Sequence, residues 1–468
     1  ELRDQPYDII GISAILPNIE KVKAMCRLIR RYQPLAVIVV GGHITNYSDL
    51  GQAVDADHIV QGEGIAWFRQ FLGQPLDLPV KHPATISAFG TRIMGINLSD
   101  KPGDTAAILI PSVGCPVGCN FCSTSALFGG KGKFVNFYET GDELFEVMCR
   151  LEKTLKVNSF FVLDENFLLH RRRALRLLDL MKTHQKSWML NVFSSARVLR
   201  SYTIEQLVGL GVGWIWMGIE GKDSQYTKLA DVDTRQLVKH LQSHGIRVLG
   251  SSIIGLEDHK PENIDQIITH AVSHRADFHQ FMLYTPVPGT PLYEAHKKDG
   301  TLLNEDEFPP ADAHGQYRFN YRHVNIKSGQ EEDFLLQAFE QDFHENGPSL
   351  ARLIRTLLIG WQRYKNNPHQ RLRIRYAWEV PPLRSCFPGA VWAMKQYYRQ
   401  TPSMFRKIDR LLSDIYREFG WKTRLVAPLI GFYAYLRLLK EERQLSRGWR
   451  YEPTTFYEKN SKAKAVHV

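Results

Sequence analysis

Gly114-Cys115-Pro116-Val117-Gly118-Cys119-Asn120-Phe121-Cys122 is the stretch on which the reading of this chain turns. Three cysteines sit within eight residues, just after the apolar run Ala106-Ala107-Ile108-Leu109-Ile110, so they can converge on one soft metal centre from the loop at a strand end. Thiolates select zinc, copper(I) and iron–sulfur clusters. A structural zinc site closes with four protein ligands, and no fourth cysteine or histidine stands in this loop. The next cysteine, Cys149, lies in the helical pattern Glu143-Leu144-Phe145-Glu146-Val147-Met148-Cys149. Cys115, Cys119 and Cys122 are therefore the candidate metal ligands, and three ligands leave one coordination position open for chemistry. A zinc knot, or three unrelated buried thiols, is the plainer reading.

Working outward, 468 residues with 44% hydrophobic and 23% charged composition are enough for two or three domains with a sizeable core. Six cysteines, half of them clustered, do not form a secreted disulfide framework. No stretch reaches the roughly 18 uninterrupted apolar residues of a membrane span, and no charged-then-apolar leader follows Glu1. The expectation is a cytoplasmic protein, with contact to a membrane surface left open. The net charge of +10 is uneven: from Leu350 onward 24 Lys and Arg face 8 Asp and Glu, so this part carries +16 and the rest −6. A basic tail on a mildly acidic body points to an anionic partner, either a membrane surface, nucleic acid or an acidic substrate.

Residues 1–75 alternate strand and helix. Tyr7–Ser13, Ala36–Val40 and Asp57–Val60 read as buried strands, and Lys21–Arg31 as an amphipathic helix. Such β-branched runs separated by helices predict a parallel, doubly wound sheet. Residues 76–105, rich in proline, read as a linker. Residues 106–300 repeat the alternation with six strands: around Ile108, then Phe160–Leu163, Trp188–Phe193, Trp214–Met217, Val248–Ile254 and Phe281–Tyr284. Six βα units predict a partial TIM-like barrel with its chemistry at the C-terminal strand ends. Residues 301–468 read as mainly helical.

The CxxxCxxC spacing, with Phe121 before the last cysteine, resembles the radical S-adenosylmethionine (SAM) superfamily. The resemblance implies a [4Fe–4S] cluster on Cys115, Cys119 and Cys122, with SAM on the open iron and Phe121 beside it. It also implies SAM contacts at successive strand ends: Asp164 and Glu165, then Ser194, Ser195 and Arg197, then Glu220, then Gly255 and Glu257. The family's Gly-Gly-Glu spelling is absent at Asp164-Glu165-Asn166, where helix N-capping is the plainer reading. Tyr284-Thr285-Pro286-Val287-Pro288-Gly289-Thr290-Pro291 resembles the ending shared by cobalamin-dependent members.

Upstream, Ser13-Ala14-Ile15, Gly41-Gly42 with His43, and Gly62-Glu63-Gly64 resemble, in that order, the second half of a cobalamin-binding domain. The implied cobalamin contacts are Ser13, Gly41, Gly42, His43, Gly62 and Glu63. The family's Asp-x-His-x-x-Gly segment would fall before Glu1, so the chain reads as shortened at its N-terminus, with the cobalamin ligation state open. The implied function is cobalamin-dependent C-methylation of an unactivated carbon, on a natural-product or lipid substrate. A flavodoxin or ferredoxin would supply electrons. Radical cyclisation or rearrangement, and a non-catalytic iron–sulfur protein tethered to membrane or nucleic acid, are the alternatives.

The apolar stretch Leu425–Lys440 is flanked by Lys422, Arg424, Arg437, Lys440 and Arg443. The expectation there is a core helix packed on its neighbours, the alternative a helix lying in a membrane interface. No nucleic-acid motif accompanies the dispersed arginines.

Overall fold

The computed structural model describes residues 2–87, 106–219 and 233–449, together with the paired backbone of Arg92–Ile93 and Ile96–Asn97. β1 (Ile9–Ser13), β2 (Val37–Gly41) and β3 (His58–Val60) form a parallel sheet in that order. Their register pairs Ser13 with Gly41 and Gly41 with Val60. All three strands thus end at one edge. The helix Ile19–Tyr32 turns Val22, Cys26 and Ile29 onto β1 and β2, where Ile38 and Val40 are fully buried. Arg30 holds the far end of the sheet through Asp57 at 2.9 Å.

A second parallel sheet contains β4 (Ala107–Leu109), β5 (Ser159–Val162), β6 (Met189–Phe193), β7 (Val212–Gly218), β8 (Arg247–Ile254) and β9 (Phe278–Leu283). The strands lie side by side in sequence order, from β4 at one edge to β9 at the other. All six strands expected from the sequence are present. Each crossover is helical where described, and the inward residues Ala107, Phe160, Leu190, Ile215 and Val248 have no exposed surface. Thr140 caps the first crossover helix, Gly141–Leu155, in a reciprocal box with Glu143.

Residues 80–87, within the expected linker, lie along the β4 edge. Ser87 N–H donates to Ala106 O at 2.7 Å and Ile110 N–H to His82 Nε2 at 2.9 Å. The reason is the exposed edge itself, whose unpaired backbone groups are satisfied by this passing segment.

From residue 330 the chain is helical: Gln330–Asn346, Ser349–Tyr364, Gln370–Trp378, Cys386–Tyr397 and Pro402–Leu445, the last broken at Gly420 (φ 77°). Part of the positive charge of this region is internal. Arg375, 1% exposed, donates to Val212 O at 3.1 Å, and Arg371 to Lys186 O at 3.0 Å and to Gly209 O. Tyr376 Oη donates to His244 O at 2.9 Å. Those carbonyls precede or begin β6, β7 and β8, so the helical region closes the N-terminal ends of the strands. The opposite ends are left for the site.

Candidate functional site

The C-terminal ends of the six strands and the edge of the three-stranded sheet face each other across one cavity of about 680 Å³. The cysteine loop leaves β4 and enters the cavity wall with Cys115, Cys119 and Cys122. Its shape is set by backbone geometry. Gly118 sits at φ 71°, and a Cβ there would lie 2.5 Å from Lys131 Cβ, so only glycine fits. Ser125 Oγ donates to Cys115 O at 2.8 Å, and Cys122 starts the short helix Ser123–Leu127 by accepting Ser125 N–H at 3.5 Å on its sulfur. Asn120 ties the loop to the far edge of the sheet, donating to Tyr284 Oη at 2.9 Å, while Phe121 meets the Tyr284 ring edge-on at 5.9 Å.

Burial pushes the Cys115 thiol up to about 11, against a bond from Val117 N–H, with the neighbouring thiols and Glu165 adding to the rise. The donor set of three sulfurs and one carboxylate lacks positive charge, which suits a cationic centre. Among the described residues, no trio of His, Cys, Asp or Glu is gathered closely enough to hold a single metal ion. Three thiolates on one zinc would stand about 3.8 Å apart, given 2.3 Å bonds in tetrahedral geometry. A multinuclear cluster takes each thiolate on a separate iron and needs no such closeness.

After β5, the adjacent carboxylates part company. Glu165 lines the cavity, and burial pushes it up to about 7. Its Oε2 is buried with no hydrogen-bond partner. Such an orphaned acceptor is costly unless a donor arrives with the ligand. Asp164, expected at the SAM ammonium, is withdrawn instead: it pairs with Arg173 at 2.9 Å and accepts Ser112 Oγ–H and Asn166 N–H. The signal missed in the sequence was Arg173, nine positions on, which reaches Asp164 from the first turn of the helix Arg171–Thr183.

Ser194 and Ser195 line the cavity as expected, with Ser194 Oγ–H donating to Asn166 Oδ1 at 3.2 Å. Arg197 is exposed and does not line it, having turned out with the helix Ala196–Leu199. Gly255 lies beneath the Phe319 ring, and Glu257 is exposed. Neither borders the cavity; Ser251 and Ile253 of β8 do. Glu220 falls outside the described residues. Phe193, Trp216, Met217 and Met282 supply an apolar floor that the sequence reading did not single out, with the Phe193 and Trp216 rings 5.0 Å apart. Ala313, His314 and Gly315 reach the cavity from beyond β9.

On the facing sheet, His43, Ile15, Leu16 and Pro17 line the cavity. Burial lowers the His43 pKa, which favours the neutral imidazole. Ser13, Gly41 and Gly42 form the strand edge behind these residues. A Cβ on Gly42 would lie 2.7 Å from Ala14 O, so this glycine serves the local chain crossing. Glu63 caps the helix Gly64–Phe71 through Ile65 and Ala66 N–H, and neither it nor Gly62 borders the cavity.

An α/β protein whose two parallel sheets turn their C-terminal edges onto one shared, cysteine-lined cleft has the layout of an enzyme with large cofactors. No protein-family model matches the chain. It is 23% identical over 330 residues to the uncharacterized methyltransferase PH0819 of Pyrococcus horikoshii, covering 63% of this chain and 71% of that one. It is 24% identical to the bacteriochlorophyllide d C-8(2)-methyltransferase of Chlorobaculum tepidum, covering 71% and 76%. With the hopanoid C-2 methylase of Rhodopseudomonas palustris it shares 25% over 42% of this chain and 38% of that one. The cobalamin- and [4Fe–4S]-bound radical SAM methyltransferase TsrM of Kitasatospora setae has the same fold over 81% of this chain and 88% of its own, at a TM-score of 0.53 and 14% identity. The chain is thus similar over much of its length to curated methyltransferases and shares the fold of a cobalamin- and [4Fe–4S]-bound radical SAM methyltransferase.

Proposed function

We propose that this protein methylates an unactivated carbon of an apolar small molecule, using a [4Fe–4S] cluster, SAM and cobalamin. The observation that carries the reading is the one cleft that joins the cysteine loop, the orphaned Oε2 of Glu165 and the His43 edge of the second sheet. When bound, the cluster and SAM supply radical chemistry and cobalamin supplies the methyl group.

In this reading Cys115, Cys119 and Cys122 hold the cluster. Glu165 accepts the SAM ammonium, and Ser194 and Ser195 bind its polar tail. Phe121 packs on its apolar side. His43, with the Ser13, Gly41 and Gly42 edge behind it, meets cobalamin, and the six-stranded sheet acts as a partial barrel. The walls of Phe193, Trp216 and Met282 exclude water and orient an apolar substrate. That lining is in keeping with the tetrapyrrole and hopanoid classes named for two relatives, and we extend the substrate class to this chain on that support. A flavodoxin or ferredoxin is the proposed electron donor.

The test is anaerobic turnover of the reconstituted protein with SAM, cobalamin and candidate tetrapyrrole or polycyclic lipid acceptors, read by mass. A gain of about 14 Da is expected, the replacement of hydrogen by methyl. Consumption of SAM with a product lacking that gain would overturn methylation in favour of cyclisation or rearrangement.

A further inference from the structure

The second half of the last helix has two apolar faces, and the fold uses one of them. After the break at Gly420, Thr423, Ala427, Gly431 and Ala434 are buried against the helix Cys386–Tyr397. The contact is close: a Cβ on Gly431 would lie 2.8 Å from Gly389 O. Small residues at this spacing share one side of a helix.

The other side carries the large residues. Trp421, Leu425, Leu429, Phe432 and Leu436 are 67%, 63%, 75%, 57% and 48% exposed. At 100° per residue they fall within one stripe. The sequence expectation of a core helix packed on its neighbours therefore holds for the small face alone, and the bulky face points to solvent. A helix that is apolar all round is normally enclosed, so this stripe calls for a partner.

Charge says which partner. Between Gly420 and Lys440 there is no Asp or Glu, while Lys422, Arg424, Arg437 and Lys440 are present. Arg437 is shared with Glu441 at 3.9 Å. Lys422 and Lys440 project along one rim of the stripe and Arg424 along the other. The stripe runs about 22 Å, at 1.5 Å per residue, short of the roughly 30 Å of a bilayer core. Among the described residues no helix is long and apolar enough to cross a membrane. An aromatic and leucine face edged by cations is the pattern of a helix lying in the plane of a bilayer interface.

We infer that Trp421–Leu436 is a docking surface for an anionic lipid bilayer. This rests on the exposed stripe and its rims, independent of the reaction assigned to the cleft.

The experiment is flotation of the full chain with vesicles of phosphatidylcholine, with and without phosphatidylglycerol. Binding is expected with the anionic vesicles at low salt and is reduced at high salt. The triple variant Leu425→Glu/Leu429→Glu/Phe432→Glu should lose binding by roughly tenfold or more, with unchanged far-UV circular dichroism because all three sites are exposed. Lys422→Glu/Arg424→Glu/Lys440→Glu should lose the preference for anionic vesicles. Equal binding by wild type and triple variant, or no binding at low salt, overturns the inference. So does a wild-type dimer that the triple variant converts to monomer without any vesicle binding, which would assign the face to a second copy of the chain.

Discussion

Asp164 and Glu165 are neighbours in the chain with opposite fates: Asp164 is locked to Arg173 at 2.9 Å inside the protein, and Glu165 faces the cleft with Oε2 unpaired. One carboxylate serves the fold, and the other is held ready for a ligand.

The two are separable by substitution. Asp164→Ala leaves the Arg173 guanidinium buried without its counter-charge, bonded only to Asn136 Oδ1 and Tyr138 O, and should cost about 3–5 kcal/mol of stability, seen as a lowered urea midpoint. Glu165→Gln should fold normally and bind SAM more weakly by about 1.5–3 kcal/mol, measured by calorimetry on the reconstituted protein. Unchanged SAM affinity in Glu165→Gln would remove that residue from the SAM site.

Cluster content follows from the loop. Anaerobic reconstitution should give about four irons and four sulfides per chain, and the combined Cys115→Ala/Cys119→Ala/Cys122→Ala variant none. Tightly bound zinc in a colourless wild type would refute the cluster.

Loop geometry should matter as much as the ligands. Gly118→Ala forces a side chain into φ 71° and onto Lys131, a strain of about 1–2 kcal/mol before the clash is counted. Iron content should fall although every cysteine remains. Full iron loading in this variant would show that the loop relaxes freely.

Acid sensitivity should come from two buried histidines that do not line the cleft. Burial holds His259 and His274 down to about 4. His259 Nδ1 accepts Gly255 N–H at 3.0 Å and His274 Nε2 meets Thr234 Oγ1 at 2.7 Å, both bonds suited to neutral imidazole. Below an unfolded value of about 6.5, the unfolded chain binds protons that the folded chain refuses. Stability from these groups is therefore complete above pH 6.5 and lost as pH falls towards 4, by about 3 kcal/mol apiece at the limit. Denaturation midpoints at pH 7 and pH 5 should differ less in His259→Gln than in the wild type. Parallel slopes would exclude the histidine.

The sequence by itself determined the class of chemistry and the order of the strands. Cysteine spacing is a local property, and buried parallel strands are continuous apolar runs, so both survive translation into three dimensions without knowledge of packing. Cys115, Phe121, Ser194 and His43 could therefore be placed at strand ends, and all four line the cavity. Tertiary structure decided what depends on facing partners. Arg173 claimed Asp164, Phe319 covered Gly255, and Arg197 turned outward with its helix. The direction of the C-terminal helix was likewise undecidable from its composition. Both of its faces are apolar, and only the close approach of Gly389 and Gly431 selects which one is buried, leaving Trp421 and Leu429 in solvent.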